Sequence, residues 1–79
     1  EINTKLGSMA ALDEKLHAIG RRFNDGKVTK LDGVSVEYDD WHFNVRASNT
    51  EPLIRLNLEA TTPELMAKKR DEVLSVIRG

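Results

Sequence analysis

Val34-Ser35-Val36-Glu37-Tyr38-Asp39-Asp40-Trp41-His42-Phe43-Asn44-Val45-Arg46 is the stretch that decides the fold of this chain. Val34, Val36 and Tyr38 alternate with Ser35, Glu37 and Asp39, and Trp41, Phe43 and Val45 alternate with His42, Asn44 and Arg46. A period of two over short runs marks strands with one buried face and one wet face. Asp39-Asp40 is a short turn, so the two runs are expected to form an antiparallel hairpin. A third run, Ile54, Leu56, Leu58 and Ala60 against Arg55, Asn57 and Glu59, repeats the pattern. Parity puts His42, Asn44, Arg46, Arg55, Asn57 and Glu59 together on the side away from the apolar residues, where a ligand or another domain can reach them.

Helices flank these strands. From Ser8 to Asn24 the apolar residues Met9, Leu12, Leu16, Ile19 and Phe23 recur every three or four positions, the stripe of an amphipathic helix. Ser8 suits the N-cap, Asp13 and Glu14 fall early, Arg21 and Arg22 fall late, and Asn24-Asp25-Gly26 supplies a stop. Gly20 inside the stripe weakens the helix or marks a close neighbour. A second helix is expected from Thr61-Thr62-Pro63-Glu64, a hydroxyl cap followed by proline and an acid in the first turn. Its stripe is Leu65, Met66, Val73, Val76 and Ile77, with Lys68, Lys69, Arg70, Asp71 and Glu72 mostly on a solvated face. Glu1-Ile2-Asn3 reads as the tail of a further strand, as if the chain were cut from something longer. The predicted architecture is α+β: a small antiparallel sheet of about four strands with two helices packed on one face.

Size and charge narrow the functions. A chain of 79 residues is one domain, with no room for a deep closed active site. Its net charge is −1 and it has no basic run, which argues against nucleic acid as a partner. With no cysteine, thiolate catalysis and cysteine-rich zinc sites are excluded. No stretch approaches the length of a membrane span, so no membrane partner is expected and a cytoplasmic location is. No nucleophile is paired with a base and no carboxylates are spaced to ligate a metal, so the chain is not expected to be a complete enzyme.

The loop from Arg46 carries the chemistry: Arg46-Ala47-Ser48-Asn49-Thr50-Glu51-Pro52-Leu53-Ile54-Arg55. A guanidinium offers a planar fork of donors matched to phosphate, and it is charged at any working pH. Ser48, Asn49 and Thr50 add side-chain donors, and a tight loop turns backbone N–H groups toward one oxyanion. Pro52 keeps Glu51 out of helical geometry, so the loop feeds straight into a strand. Ser-Asn-Thr-Glu-Pro is also an ordinary turn, and spacing alone leaves both readings open.

At these residues, with Arg55 and Glu59 following, the sequence resembles the α-D-phosphohexomutase family, in the C-terminal (fourth) domain of its bacterial phosphomannomutase/phosphoglucomutase members. The family's phosphate-binding loop has the pattern Arg-x-Ser-Asn/Gly-Thr-Glu-Pro-x-x-Arg-x-x-x-Glu, matched here from Arg46 to Glu59. Glu1-Ile2-Asn3 and Asp32-Gly33-Val34 are also similar to the family, and the resemblance spans the chain. It implies a TATA-binding-protein-like C-terminal domain that binds substrate phosphate and has no catalytic residue or cofactor of its own. The parent enzyme would interconvert hexose 1-phosphate and 6-phosphate through a bisphosphorylated sugar, using Mg2+ held by another domain. The partners implied are the phosphosugar and the parent's other domains. Arg46 would carry the charge of the clamp, Ser48 and Thr50 its hydroxyl donors, and Asn49 a loop or backbone contribution. Arg55 would either reach the phosphate or pair with Glu59 or Glu51. Those two glutamates would orient arginines rather than meet the anion.

Other readings stand beside this one. The fourth domain of a phosphoglucosamine mutase would share the loop, which reads phosphate and not the sugar ring. A non-catalytic interaction module on the exposed sheet would bind a peptide or oligonucleotide instead. Trp41 and Phe43 share the parity of Val45, which assigns them to the core and not to base stacking. His42 lies on the polar face, as a solvated histidine or a ligand contact, and His17 lies off the helix stripe.

Overall fold

In the computed structural model, residues 2–30, 33–48 and 50–79 are described. They form β1 (Ile2–Lys5), α1 (Met9–Arg22), β2 (Lys27–Thr29), β3 (Val34–Glu37), β4 (Trp41–Ala47), β5 (Leu53–Ala60) and α2 (Pro63–Arg78). The strands make one sheet in the order β1-β5-β4-β3-β2, with every neighbouring pair antiparallel. The architecture is the expected α+β, with five strands and two helices.

Alternation sets the faces as the sequence requires. Val34, Val36, Trp41, Phe43, Val45, Ile54 and Leu56 are buried, and with Leu12, Ile19, Phe23, Val73 and Ile77 from the helices they make the core. Trp41 and Phe43 belong to it: Trp41 stacks on Tyr38 at 4.6 Å and on Phe43 at 5.3 Å, and Phe23 meets Trp41 and Phe43 edge-on. Trp41, Phe43 and Phe23 are buried and not presented on the exposed face of the sheet. Tyr38 N–H donates to Trp41 O at 2.8 Å, closing the Asp39-Asp40 hairpin.

Helix starts follow their caps. Ser8 Oγ accepts from Ala11 N–H at 3.1 Å, and Thr62 Oγ1 accepts from Leu65 N–H at 3.1 Å with Pro63 just inside. Each cap satisfies a donor that the first turn leaves open. Asp13 and Glu14 fall outside the first turn of α1, where the dipole they were expected to complement is weak.

Three details differ from the sequence reading. β2 is a fifth strand, too short and with too little alternation (Lys27-Val28-Thr29) to announce itself. Met9 and Met66, expected in the apolar stripes, are 55% and 41% exposed. Met9 stands at the first position of α1 and is not packed on the core, while Met66 lines a groove at the β5 edge. No helix among the described residues is long and apolar enough to cross a membrane.

A candidate oxyanion site at the β4–β5 turn

The sheet register brings the two arginines together. Arg46 on β4 and Arg55 on β5 are direct cross-strand partners, exposed on the face opposite the core. Like charges directly opposite each other on a sheet are destabilising, and an anion held between them removes that cost. Both arginines make further interactions in this structure.

The turn between the strands supplies the other donors. Ser48 N–H donates to Leu53 O at 2.9 Å and closes the loop. Leu53 N–H donates to Glu51 O at 2.8 Å, so the chain folds tightly about Pro52, whose fixed φ suits such a turn. Ser48 Oγ accepts from Thr50 N–H at 3.4 Å and lies 3.5 Å from Thr50 Oγ1. The two hydroxyls are thus held side by side by the loop itself, the local bonding that serine and threonine favour in turns. Arg46, Ala47, Ser48, Thr50 and Arg55 together line one pocket of about 220 Å³.

The remaining residues singled out in the sequence fall elsewhere. Asn49 lies outside the described residues. Glu51 is exposed in the loop and does not line the pocket. Glu59 is the register partner of His42, with Oε2 3.7 Å from His42 Nε2, and both side chains are largely exposed. Four positions along β5 from Arg55, Glu59 sits about 13 Å further down the strand. His42 and Glu59 border a second pocket of about 230 Å³, shared with Asp39, Asp40 and Tyr38, where the carboxylates repel an anion.

Two contributors had no signal in the linear sequence. Ala47 lines the arginine pocket, and its methyl leaves space between the longer side chains. Gly33, at φ 78°, lies against the hairpin: a Cβ there would sit 2.3 Å from Val45 O and 3.0 Å from Arg46 Cγ. Only glycine adopts that backbone at such close approach, so Gly33 lets the segment before β3 pass beside the stem of Arg46. Burial pushes the Tyr38 hydroxyl well above the ordinary tyrosine range, and its hydrogen bond to Asp25 Oδ1, at 2.6 Å, adds to the shift.

An antiparallel α+β domain with facing arginines beside a serine–threonine turn is a candidate oxyanion-binding domain. Its sequence matches the family described as phosphoglucomutase/phosphomannomutase, C-terminal domain, over residues 1–76. It is 40% identical to a phosphomannomutase of Escherichia coli over 81 aligned residues, covering 99% of this chain and 17% of that protein. It is 42% identical to a phosphomannomutase of Methanocaldococcus jannaschii, covering 98% of this chain and 16% of that protein. Phosphohexose mutases of Xanthomonas campestris are 43% identical over 49 residues, or 61% of this chain and 11% of theirs. The chain belongs to the phosphoglucomutase/phosphomannomutase C-terminal domain family, and it spans about one-sixth of the length of the first two relatives.

Proposed function

We propose that this domain binds the substrate phosphate of a phosphohexomutase of the phosphomannomutase/phosphoglucomutase type. The parent enzyme on this reading interconverts hexose 1-phosphate and 6-phosphate through a bisphosphorylated sugar. Arg46 and Arg55 hold the phosphate remote from the reacting one, with Ser48 and Thr50 as hydroxyl donors and Asn49 as a loop or backbone contributor. The observation that carries the reading is the direct cross-strand pairing of Arg46 with Arg55 beside the Ser48–Thr50 turn, in one pocket. A pair of guanidiniums matches a dianion in charge, and adjacent hydroxyls and amides accommodate its remaining oxygens.

The physical division of labour is simple. Phosphoryl transfer depends largely on positioning and charge neutralisation. Grip on the non-reacting phosphate orients the sugar and supplies binding energy without touching the reacting bonds. Covering the substrate from this side also keeps water from the reacting phosphate. The other domains of the parent then supply the chemistry. On this reading Mg2+ is held by another domain of the parent. Sugar phosphates are charged and do not cross membranes unaided, which suits a cytoplasmic enzyme.

Steady-state kinetics of the parent enzyme test this. Arg46→Ala is expected to reduce kcat/KM for hexose phosphate by about tenfold to a hundredfold, the loss of one charge-assisted contact of about 1.5–3 kcal/mol. Unchanged kcat/KM in Arg46→Ala, with the protein folded, rules the assignment out.

A further inference from the structure

β1 brings a third cation to the turn beside Arg46 and Arg55. Along this strand Ile2 and Thr4 are half-buried, while Asn3 and Lys5 are exposed. Alternation therefore puts Asn3 and Lys5 on the sheet face that carries the two arginines. Asn3 pairs with Arg55, which pairs in turn with Arg46, so the three form one row across β1, β5 and β4. Lys5 pairs with Leu53 in the next row. From the other side of β5, Ser48 N–H donates to Leu53 O at 2.9 Å, so Leu53 is flanked by Lys5 and Ser48. Leu6 N–H donates to Pro52 O at 2.7 Å, which holds this end of β1 against the turn itself.

Lys5 stands diagonally from Arg55, about 7–8 Å between Cα atoms, a spacing that long side chains bridge. Leu53, between Lys5 and Ser48, is half-buried and has no polar side-chain atom to offer either of them. Lys5 takes part in none of the ion pairs among the described residues. It does not line the arginine pocket in this structure. Its flexible four-carbon stem has to lean over Leu53 to bring the ammonium there. A third like charge beside two that already face each other adds repulsion at this end of the sheet, and the same crowding focuses an attractive field on an anion. The charges then balance. Glu51, exposed in the turn, carries one negative charge. Lys5, Arg46 and Arg55 set against Glu51 leave two positive charges, matching the roughly two negative charges of a phosphate monoester at neutral pH. Building on the phosphate-binding role of the arginine pair, we propose that Lys5 is a third cation of the site, closing over a phosphate monoester from the β1 side.

Isothermal titration of the full-length parent with glucose 1,6-bisphosphate, at low and at high salt, tests this. Lys5→Met is expected to weaken binding about threefold to tenfold at low salt, the loss of one exposed and flexible cation. That loss is expected to shrink at high salt, where a solvent-exposed charge is screened. Lys5→Arg keeps the charge and is expected to retain most of the affinity. Lys27→Met removes a positive charge from the row of Glu37, His42 and Glu59 instead, and is expected to leave binding unchanged. Arg46→Ala is titrated alongside. If Arg46→Ala weakens binding and Lys5→Met does not, Lys5 is an ordinary surface lysine and the proposal is overturned while the arginine pair stands. A loss in Lys5→Met that is equal at both salt concentrations is not an effect of its charge, and overturns the proposal as well. If neither variant alters binding, the phosphate-binding role of the turn falls, and that of Lys5 with it.

Discussion

The same two strands carry two cross-strand pairs on the same exposed face, and the pairs are opposite in kind. Toward one end of β4 and β5, His42 faces Glu59, a carboxylate opposite a group able to carry positive charge. Toward the other, Arg46 faces Arg55, two positive charges opposite each other. A sheet stabilised for its own sake favours the first arrangement, since opposite charges across strands help and like charges hurt. The second makes sense beside a loop of hydroxyl and amide donors. On the proposed function, the charge at the turn end serves a ligand, while the pair at the far end serves the sheet.

Breaking the arginine end through its backbone is expected to have the largest effect. Gly33→Ala forces a side chain onto a left-handed residue, 2.3 Å from Val45 O. Chemical denaturation is expected to show a loss of about 2–4 kcal/mol, combining backbone strain with overpacking. Phosphate binding should weaken as well, because the added methyl presses on Arg46 Cγ.

Removing the charge alone sharpens the contrast. Arg46→Ala is expected to weaken phosphate binding by about tenfold to a hundredfold, read by isothermal titration of the parent. Glu59→Gln, by contrast, is expected to leave phosphate affinity unchanged.

Tyr38 marks the far end as structural. Its hydroxyl donates to Asp25, and its pKa is raised in the folded state by burial first and Asp25 second. A raised folded pKa contributes stability that is whole below the unfolded value of about 10 and is lost as pH climbs above it. Melting curves from pH 8 to 11 are expected to fall more steeply for the native protein than for Tyr38→Phe. The smallest effect belongs to the exposed His42–Glu59 pair. His42→Gln is expected to change stability by less than about 1 kcal/mol, an effect that shrinks in high salt.

Much of this was legible in the residues. Alternation from Val34 to Ala60 fixes the faces, and Ser8 and Thr62-Pro63 fix where the helices start. What escaped depended on register and on contacts through space. Parity puts Arg46 and Arg55 on one face, but only the strand pairing sets them opposite each other and gives Glu59 to His42 instead of a neighbouring arginine. β2 has a single apolar residue and no period to detect. The approach of Gly33 to Arg46 joins segments thirteen positions apart and leaves no local pattern. Met66 follows the helical stripe, yet it lines an open groove beside Ile2 and Leu58 and stays exposed.

The most direct test of the two-ended account is a titration of this chain with inorganic phosphate and glucose 1,6-bisphosphate, followed through backbone amide NMR shifts. The account expects saturable shifts at Arg46, Ala47, Ser48, Thr50 and Arg55, abolished by Arg46→Ala, with His42 and Glu59 still. Shifts centred on His42 and Glu59, or none anywhere at tens of millimolar ligand, would contradict it.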